Sequence, residues 1–395
     1  MQQTLGSWDE INRKWRNTAL LLGWLVLAPS SSAATFWVGN CHASSYPTIS
    51  AAVTAAPAGS TVNVCPGTYP EQVFITRPLT LHGVTSGNNG RAIIAVPASV
   101  TGGPPNWQFV PDPTFINLVA PQIFVNSPAG SVVISNLTID GSGEHGAPSA
   151  CPPGTGQWQT VAIFFENSSG TINEVTTRGQ GKTSGCGVGI RAYAMPGPPA
   201  TLKITNNSTL DANLYGYRLE APLPGASLSV TATKNNVEAG STNLGSFALS
   251  YTGGVSGSIS SNYIQAVAHG VWGNGQSGDL TFSANTIVSL NGLVGTGGLY
   301  AAPATNPGHP LVTGNRVVNF YVGLGVPSGA SAVNNNVIVN NVLGMELGCN
   351  SAATISGNTI NNSQYGYDTV PNGFVATGKV SFFNVDNLNE GTVCP

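Results

Sequence analysis

The chain reads as all-β, a parallel β-helix solenoid covered at its start by a short capping helix. Three observations predict this. The first is a frame of an apolar residue, two positions, Asn, one position, a second apolar residue, and Gly seven or eight positions after the Asn. It recurs as Ile259/Asn262/Ile264/Gly270, Phe282/Asn285/Ile287/Gly292, Val312/Asn315/Val317/Gly323, Val333/Asn336/Ile338/Gly344 and Ile355/Asn358/Ile360/Gly366. The second is the period: successive Asn positions lie 23, 30, 21 and 22 residues apart, a unit of about 22 with one insertion. The third is composition, since a unit this short, Gly-rich and β-branched does not suit the paired helices of longer repeats. Such a unit makes three short strands and three bends, one coil that stacks on the next at about 4.8 Å. One Asn per coil then builds a ladder of side-chain amides at one bend, with Gly serving the following bend through its freedom at positive φ.

Earlier copies are looser. Ile204/Asn207/Gly216 keeps the frame with one extra residue, Ala232/Asn235/Val237 keeps the Asn, and Ile134/Leu137/Ile139 and Ile172/Val175 keep only the alternation. The repeat therefore runs from the region of Val62 to that of Phe383, about a dozen coils. Ahead of it, residues 1–34 read as an export signal: Arg13, Lys14 and Arg16, an apolar run from Ala19 to Leu27, then Ser32-Ala33-Ala34. That run is too short to span a bilayer, and no later segment is long and apolar enough. Residues 35–395 form one β-helix domain. Tyr46 to Ala56 reads as a short Ala-rich helix with a Thr or Ser N-cap, stopped by Pro57 and Gly59, placed to cover the first coil's exposed interior. Ser60–Val64 is a strand, Pro66-Gly67-Thr68-Tyr69 a turn, and Glu71–Leu81 gives two further strand-like stretches.

The segments Thr48-Ile49-Ser50-Ala51-Ala52-Val53, Pro66-Gly67-Thr68-Tyr69 and Leu79-Thr80-Leu81-His82-Gly83 resemble the opening of the pectin-lyase-like β-helix superfamily, pectin methylesterases especially. The resemblance implies a right-handed solenoid over most of the chain. Gln159-Thr160-Val161-Ala162-Ile163 is similar to the methylesterase segment that carries an oxyanion-stabilising Gln. The aromatic-Gln-Asp turn of that family has no counterpart around Thr176 to Lys182, and its second Asp and partner Arg are missing. Ala268-His269-Gly270 is only a fragment of the Gly-His-Gly of polygalacturonases. The resemblance thus argues for the fold and against both activities.

Only 7% of the 395 residues are charged, with 13 Lys+Arg against 16 Asp+Glu, which excludes the concentrated basic surface that nucleic acid requires. Six cysteines after the signal, an even count, predict three disulfides in an oxidising compartment. Coil spacing pairs Cys41 with Cys65 and Cys151 with Cys186; Cys349 and Cys394 join only if the tail folds back. No Cys-x-x-Cys or close His pair marks a metal site, and no cofactor is expected. Five Gly- and Pro-rich or irregular segments read as loops: Pro97–Pro113, Gly141–Gln157, Tyr193–Pro199, Glu238–Asn243 and Gly295–Pro310.

Registering the coils on their Gly gives an inward column of Ile190, Tyr217, Val271, Leu293, Leu324, Met345 and Tyr367. The next, outward, column is Arg191, Arg218, Trp272, Val294, Gly325, Glu346 and Asp368, with Phe247 near it. Tyr193 and Glu220 point outward two positions further on. Paired Arg beside Trp suits an acidic sugar chain: guanidinium grips carboxylate, and indole carries a pyranose ring. Elimination from a uronate would use Arg191 or Arg218 to neutralise the carboxylate and Tyr193 or His269 as base. The plainer alternative is a surface ion pair of those Arg with Glu220. A second cluster, Asp140, Glu144 and His145, offers paired carboxylates for glycoside hydrolysis, or simply a turn and loop polars. Glu166, Glu174, Arg178 and Lys182 read as solvated, and His42, His82 and His309 as structural. Asn-x-Ser/Thr triplets at Asn136, Asn167, Asn206, Asn207 and Asn361 carry little weight in so Asn-rich a chain. Two function classes stay open: a monomeric, secreted β-helix that binds or processes polysaccharide, as a lyase if catalytic, and a non-catalytic structural or adhesive surface protein.

Overall fold

The computed structural model describes residues 33–85, 90–97, 106–114, 118–143, 158–181, 186–240, 246–274, 279–292, 297–301, 309–329, 332–351, 354–368, 375–376 and 380–389. These form a right-handed parallel β-helix with three long sheets. Sheet A has 13 strands, from Thr35–Val38 to Val375–Ala376; sheet B has 12, from Gly67–Pro70 to Ser381–Phe383. Sheet C has 13, from Val73–Ile75 to Asn387–Asn389. Each coil gives one strand to each sheet. Ala232, Val237 and Leu249, for example, face inward from sheets A, B and C of one coil. Inward residues stack on their equivalents in adjacent coils, as in Ile204, Ala232, Ile259 and Phe282, so the core is one continuous apolar column.

The predicted Asn ladder stands at the bend from sheet A to sheet B and holds seven residues: Asn207, Asn235, Asn262, Asn285, Asn315, Asn336 and Asn358. In Asn285, Nδ2 donates to Asn315 Oδ1 at 2.9 Å and to the Ile259 carbonyl at 2.8 Å. Its own Oδ1 accepts from the Asn262 backbone N–H and side chain at 3.0 and 2.9 Å. Every polar atom of a central amide is thereby paired within a buried bend. Val175 fills the position one coil before Asn207 and donates its N–H to Asn207 Oδ1 at 2.8 Å, so the ladder starts where the looser copies end.

The glycines act differently from the expectation. Positive φ falls on the residue just before each ladder Asn, as at Lys234, Ser261 and Ala284, and at Gly314 with φ 65°. The repeat Gly instead lies inside sheet C. A Cβ on Gly270 would stand 2.3 Å from the Gly298 carbonyl oxygen, and one on Gly344 would stand 2.5 Å from that of Gly366. Close packing, not turn geometry, demands Gly there. Gly292 is off this column; Gly298 occupies it, so the coil after Asn285 is longer than the sequence register assumed.

The helix, α1, spans Ile49–Ala55 and buries Ile49, Ala52 and Val53 over the first coils. Thr48 caps it, and Glu71 adds a second cap by accepting from the Ile49 and Ser50 N–H groups at 2.8 and 2.9 Å. The Cys41–Cys65 disulfide is present, with Cα atoms 5.5 Å apart. Cys186 is also disulfide-bonded, while Cys151, Cys394 and the Cys349 side chain lie outside the described residues. Of the expected loops, Tyr193 and Glu238 instead end or continue strands, and Val110–Pro111 is a short strand antiparallel to Leu118–Val125. Among the described residues, no helix is long and apolar enough to cross a membrane.

Candidate functional site

Sheet C presents three outward columns fixed by its register. The first runs Val161, Val188, Tyr215, Phe247, His269 and Gly297. The second runs Phe74, Phe124, Phe164, Arg191, Arg218, Ser250, Trp272, Tyr300, Gly325 and Glu346. The third runs Glu166, Tyr193, Glu220 and Thr252. Arg191, Arg218, Trp272, Tyr193 and Glu220 are therefore brought together as the Gly register placed them. Two assignments change. Ser250, not Phe247, lies between Arg218 and Trp272, and Tyr300 with Leu299 takes the positions given to Val294 and Leu293, which lie outside the described residues.

Outward does not mean exposed. Residues 106–114 form a strap across this face, paired to sheet C through Val110 with Val119 and held at its start by Gln72, whose amide bonds Gln108 N and O at 2.6 and 3.0 Å. Beneath the strap lies a second apolar cluster of Val119, Phe124, Val161, Phe164, Val188 and Tyr193. Arg191, expected at the surface, is 0% exposed because the strap covers it. Its guanidinium donates to both Asp112 carboxylate oxygens at 2.9 Å, to Glu220 Oε2 at 2.8 Å and to Thr114 Oγ1 at 3.0 Å. Glu220 in turn pairs with Arg218 Nη2 at 2.7 Å, and Arg191 lies 5.0 Å above the Phe164 ring. Burial alone would raise Asp112, but the Arg191 hydrogen bonds and charge and the Thr114 N–H outweigh it and hold the carboxyl below its ordinary range. Burial works against the Arg191 charge too, yet Glu220 and Asp112 hold its proton more tightly than usual. Tyr193 is buried, 3.4 Å from the Pro113 carbonyl oxygen, and burial followed by the Glu220 charge raises its pKa. Glu166, half-buried and bonded to Asn126 Nδ2 at 2.9 Å, is raised by burial.

Past the strap the columns open. Arg218 is 8% exposed, and Ser250, Phe247, His269, Trp272 and Tyr300 are half-buried. Their rings form a row across adjacent coils: Tyr215 on Phe247 at 5.7 Å, Phe247 on His269 at 4.7 Å, and Trp272 on Tyr300 at 4.8 Å. His269 meets Trp272 edge-on at 5.2 Å, and Arg218 stands 5.1 Å over Tyr215. Because Trp272 lies against Tyr300 on one face, a ligand meets a stacked row rather than a single open indole plane. Tyr300 also hydrogen-bonds Glu346 across Gly325, and burial followed by that carboxylate raises its pKa.

The other candidates separate. Asp140 is bound by Arg178 at 2.6 Å; Glu144, His145 and Lys182 lie outside the described residues. His82 bonds Ser135 Oγ at 2.8 Å and His42 stacks on Trp37 at 4.6 Å, as structural residues would. Among the described residues no group of three or more His, Cys, Asp or Glu could hold a metal. Sequence reasoning missed Asp112, in the segment Pro97–Pro113 read as a loop, Thr114 just after it, and Tyr300, hidden by the insertion. It noted Gln159 only through a family resemblance. Gln159 is buried, with Oε1 3.5 Å from Arg218 Nη1 and no hydrogen-bond partner for Nε2 among the described residues.

No family model and no curated protein matches the chain. Solved structures do. The chain is similar to a GH136 lacto-N-biosidase from Eubacterium ramulus at 11% identity and TM-score 0.53, covering 96% of this chain and 70% of that one. It is similar to the A-module of a mannuronan C-5 epimerase from Azotobacter vinelandii at 14% identity and TM-score 0.48, covering 87% and 93%. A family 28 exopolygalacturonase from Yersinia enterocolitica follows at 13% and 0.42, covering 88% and 75%. The likeness to the first of these is one of fold alone, a right-handed parallel β-helix.

Proposed function

We propose that this is an exported β-helix protein that engages a polysaccharide along the outer face of sheet C. One observation carries the reading: beyond the strap, half-buried aromatic side chains stand in register over consecutive coils. A repeating row of rings on a rigid face suits a repeating ligand, since each adds apolar contact while its stacking fixes its rotamer. Trp272, Tyr300, Phe247 and His269 supply that contact and Arg218 the polar end, while Glu220, expected among the ligand residues, is buried between Arg191 and Arg218 and holds them in place. Arg191 and Tyr193 are buried and support the face from beneath the strap rather than touch ligand. A signal over residues 1–34, with the Cys41–Cys65 bridge, supports export.

A uronate-bearing chain is the finer reading, with its carboxylate drawn to Arg218 in competition with Glu220 at 2.7 Å. If the protein cleaves it, His269 is the candidate base in the open part of the face, because Tyr193 is both buried and raised in pKa. The purified protein is to be titrated against pectin, alginate, glycosaminoglycans and neutral glycans, with ultraviolet absorbance followed for unsaturated uronates. Binding is expected, weakened at least tenfold in Trp272→Ala. A protein that binds none of them is the structural solenoid of the alternative reading.

A further inference from the structure

The outward face of sheet C is closed at one end and open at the other. Along the second column, Phe164 and Arg191 are 0% exposed, Arg218 is 8% exposed, and Ser250, Trp272 and Tyr300 are half-buried. The change coincides with the last described residues of the strap, where Asp112 and Thr114 reach Arg191 and Glu220. A polymer lying on the aromatic row cannot run on toward Phe164 without lifting the strap. Lifting it would strip Asp112 from Arg191, an ion pair with both partners nearly out of water, and expose the apolar cluster below. We infer that the track is blind at Arg218, and that the protein recognises the end of a polysaccharide chain rather than its interior.

The end wall has chemistry of its own. Arg218 Nη1 and Gln159 Oε1 are 3.5 Å apart, a long contact, and Gln159 Nε2 is a buried donor lacking a hydrogen-bond partner among the described residues. A buried donor left unpaired costs free energy, so an oxygen acceptor brought to it is favoured. The terminal sugar supplies such an oxygen at the wall, while the following sugars lie over Phe247, Trp272 and Tyr300. The strap thus sets a direction along the solenoid as well as a stop.

This inference rests on polysaccharide binding at sheet C, and one experiment separates the two. Alginate, polygalacturonate, hyaluronan and xylan are each offered intact and after partial acid hydrolysis, at equal mass, and the sites per gram measured by calorimetry. Sites are expected to rise in proportion to chain ends as hydrolysis proceeds. Sites that follow mass and ignore chain ends overturn the blind track while leaving the binding reading in place; no binding to any polymer in either form removes both. The double variant Asp112→Ala, Thr114→Val, which frees the strap, is expected to bind intact polymer in proportion to mass. Should it fail to fold, the wild-type titration decides alone. Gln159→Leu is expected to bind the hydrolysed chains about tenfold more weakly. Unchanged affinity in that variant overturns the placing of the chain end at this wall.

Discussion

Single residues carry this structure through pairing rather than through bulk. Asn285 makes four ladder contacts with neighbouring coils in a bend that no water reaches. Asp at that position keeps the shape but loses two donors and brings a charge inside. Asn285→Asp is expected to cost roughly 1–3 kcal/mol, read by chemical denaturation. Asp112 works by charge: its folded pKa lies below the ordinary value, so its stabilisation is fully present above about pH 4 and is lost as pH falls through the lowered value. Asp112→Ala leaves the buried Arg191 with only Glu220 and Thr114 as partners and two donors stripped of theirs, with an expected loss of about 3 kcal/mol or local release of the strap. Its stability should then fall less on acidification than that of the wild type. Glu166 has the opposite sign. Its raised pKa favours the protonated carboxyl in the fold, a contribution present below the ordinary carboxylate range and lost as pH rises through the folded value. Glu166→Gln should raise Tm at neutral pH and leave it nearly unchanged in acid.

At the scale of elements, α1 and the strap solve the two exposure problems of a solenoid. The open first coil would show its interior and its strand edges, and α1 covers it with Ile49, Ala52 and Val53. Glu71 holds that helix from the adjacent strand region through two backbone N–H groups and the Ser50 hydroxyl. Glu71→Ala should cost about 1–2 kcal/mol and increase hydrogen exchange in α1 before the central coils, because a cap on another element joins helix to helix end. The strap covers apolar residues that point outward from the early strands of sheet C, an arrangement with no parallel among the described residues of the later coils, where the same column becomes Trp272 and Tyr300.

For the whole molecule, stacking makes each coil depend on its neighbours, so stability is nearly a sum along one axis. The Asn ladder spans the C-terminal half, from Asn207 to Asn358, while the N-terminal half relies on apolar stacking at Leu137 and Val175, on α1 and on the Cys41–Cys65 bridge. Reduction should therefore weaken the N-terminal coils first, seen as loss of hydrogen-exchange protection there while the ladder amides hold. Binding along sheet C has a signature at this scale too. If Arg218 attracts a uronate chain, affinity should fall with salt in the wild type and fall less in Arg218→Gln, whereas Trp272→Ala should weaken binding equally at low and high salt.

The sequence by itself determined the solenoid, because a one-per-coil Asn flanked by apolar pairs leaves a period that only stacked coils satisfy. It also determined the register that brings Arg191, Arg218, Tyr193, Glu220 and Trp272 to one face, and the Cys41–Cys65 bridge, since both follow from counting residues per coil. It did not show which face of a Gly mattered: Gly270 and Gly344 looked like turn residues, yet the carbonyl of the next coil, distant in sequence, is what excludes a side chain. Nor did it show that Arg191 is covered. Asp112 lies 79 residues away, in a segment with no repeat to register it, and burial depends on what folds over a residue rather than on where the residue points. The insertion before Gly297 hid Tyr300 for the same reason, because counting fails once a coil changes length. Position along a strand is a local property, and exposure is a property of the tertiary structure alone.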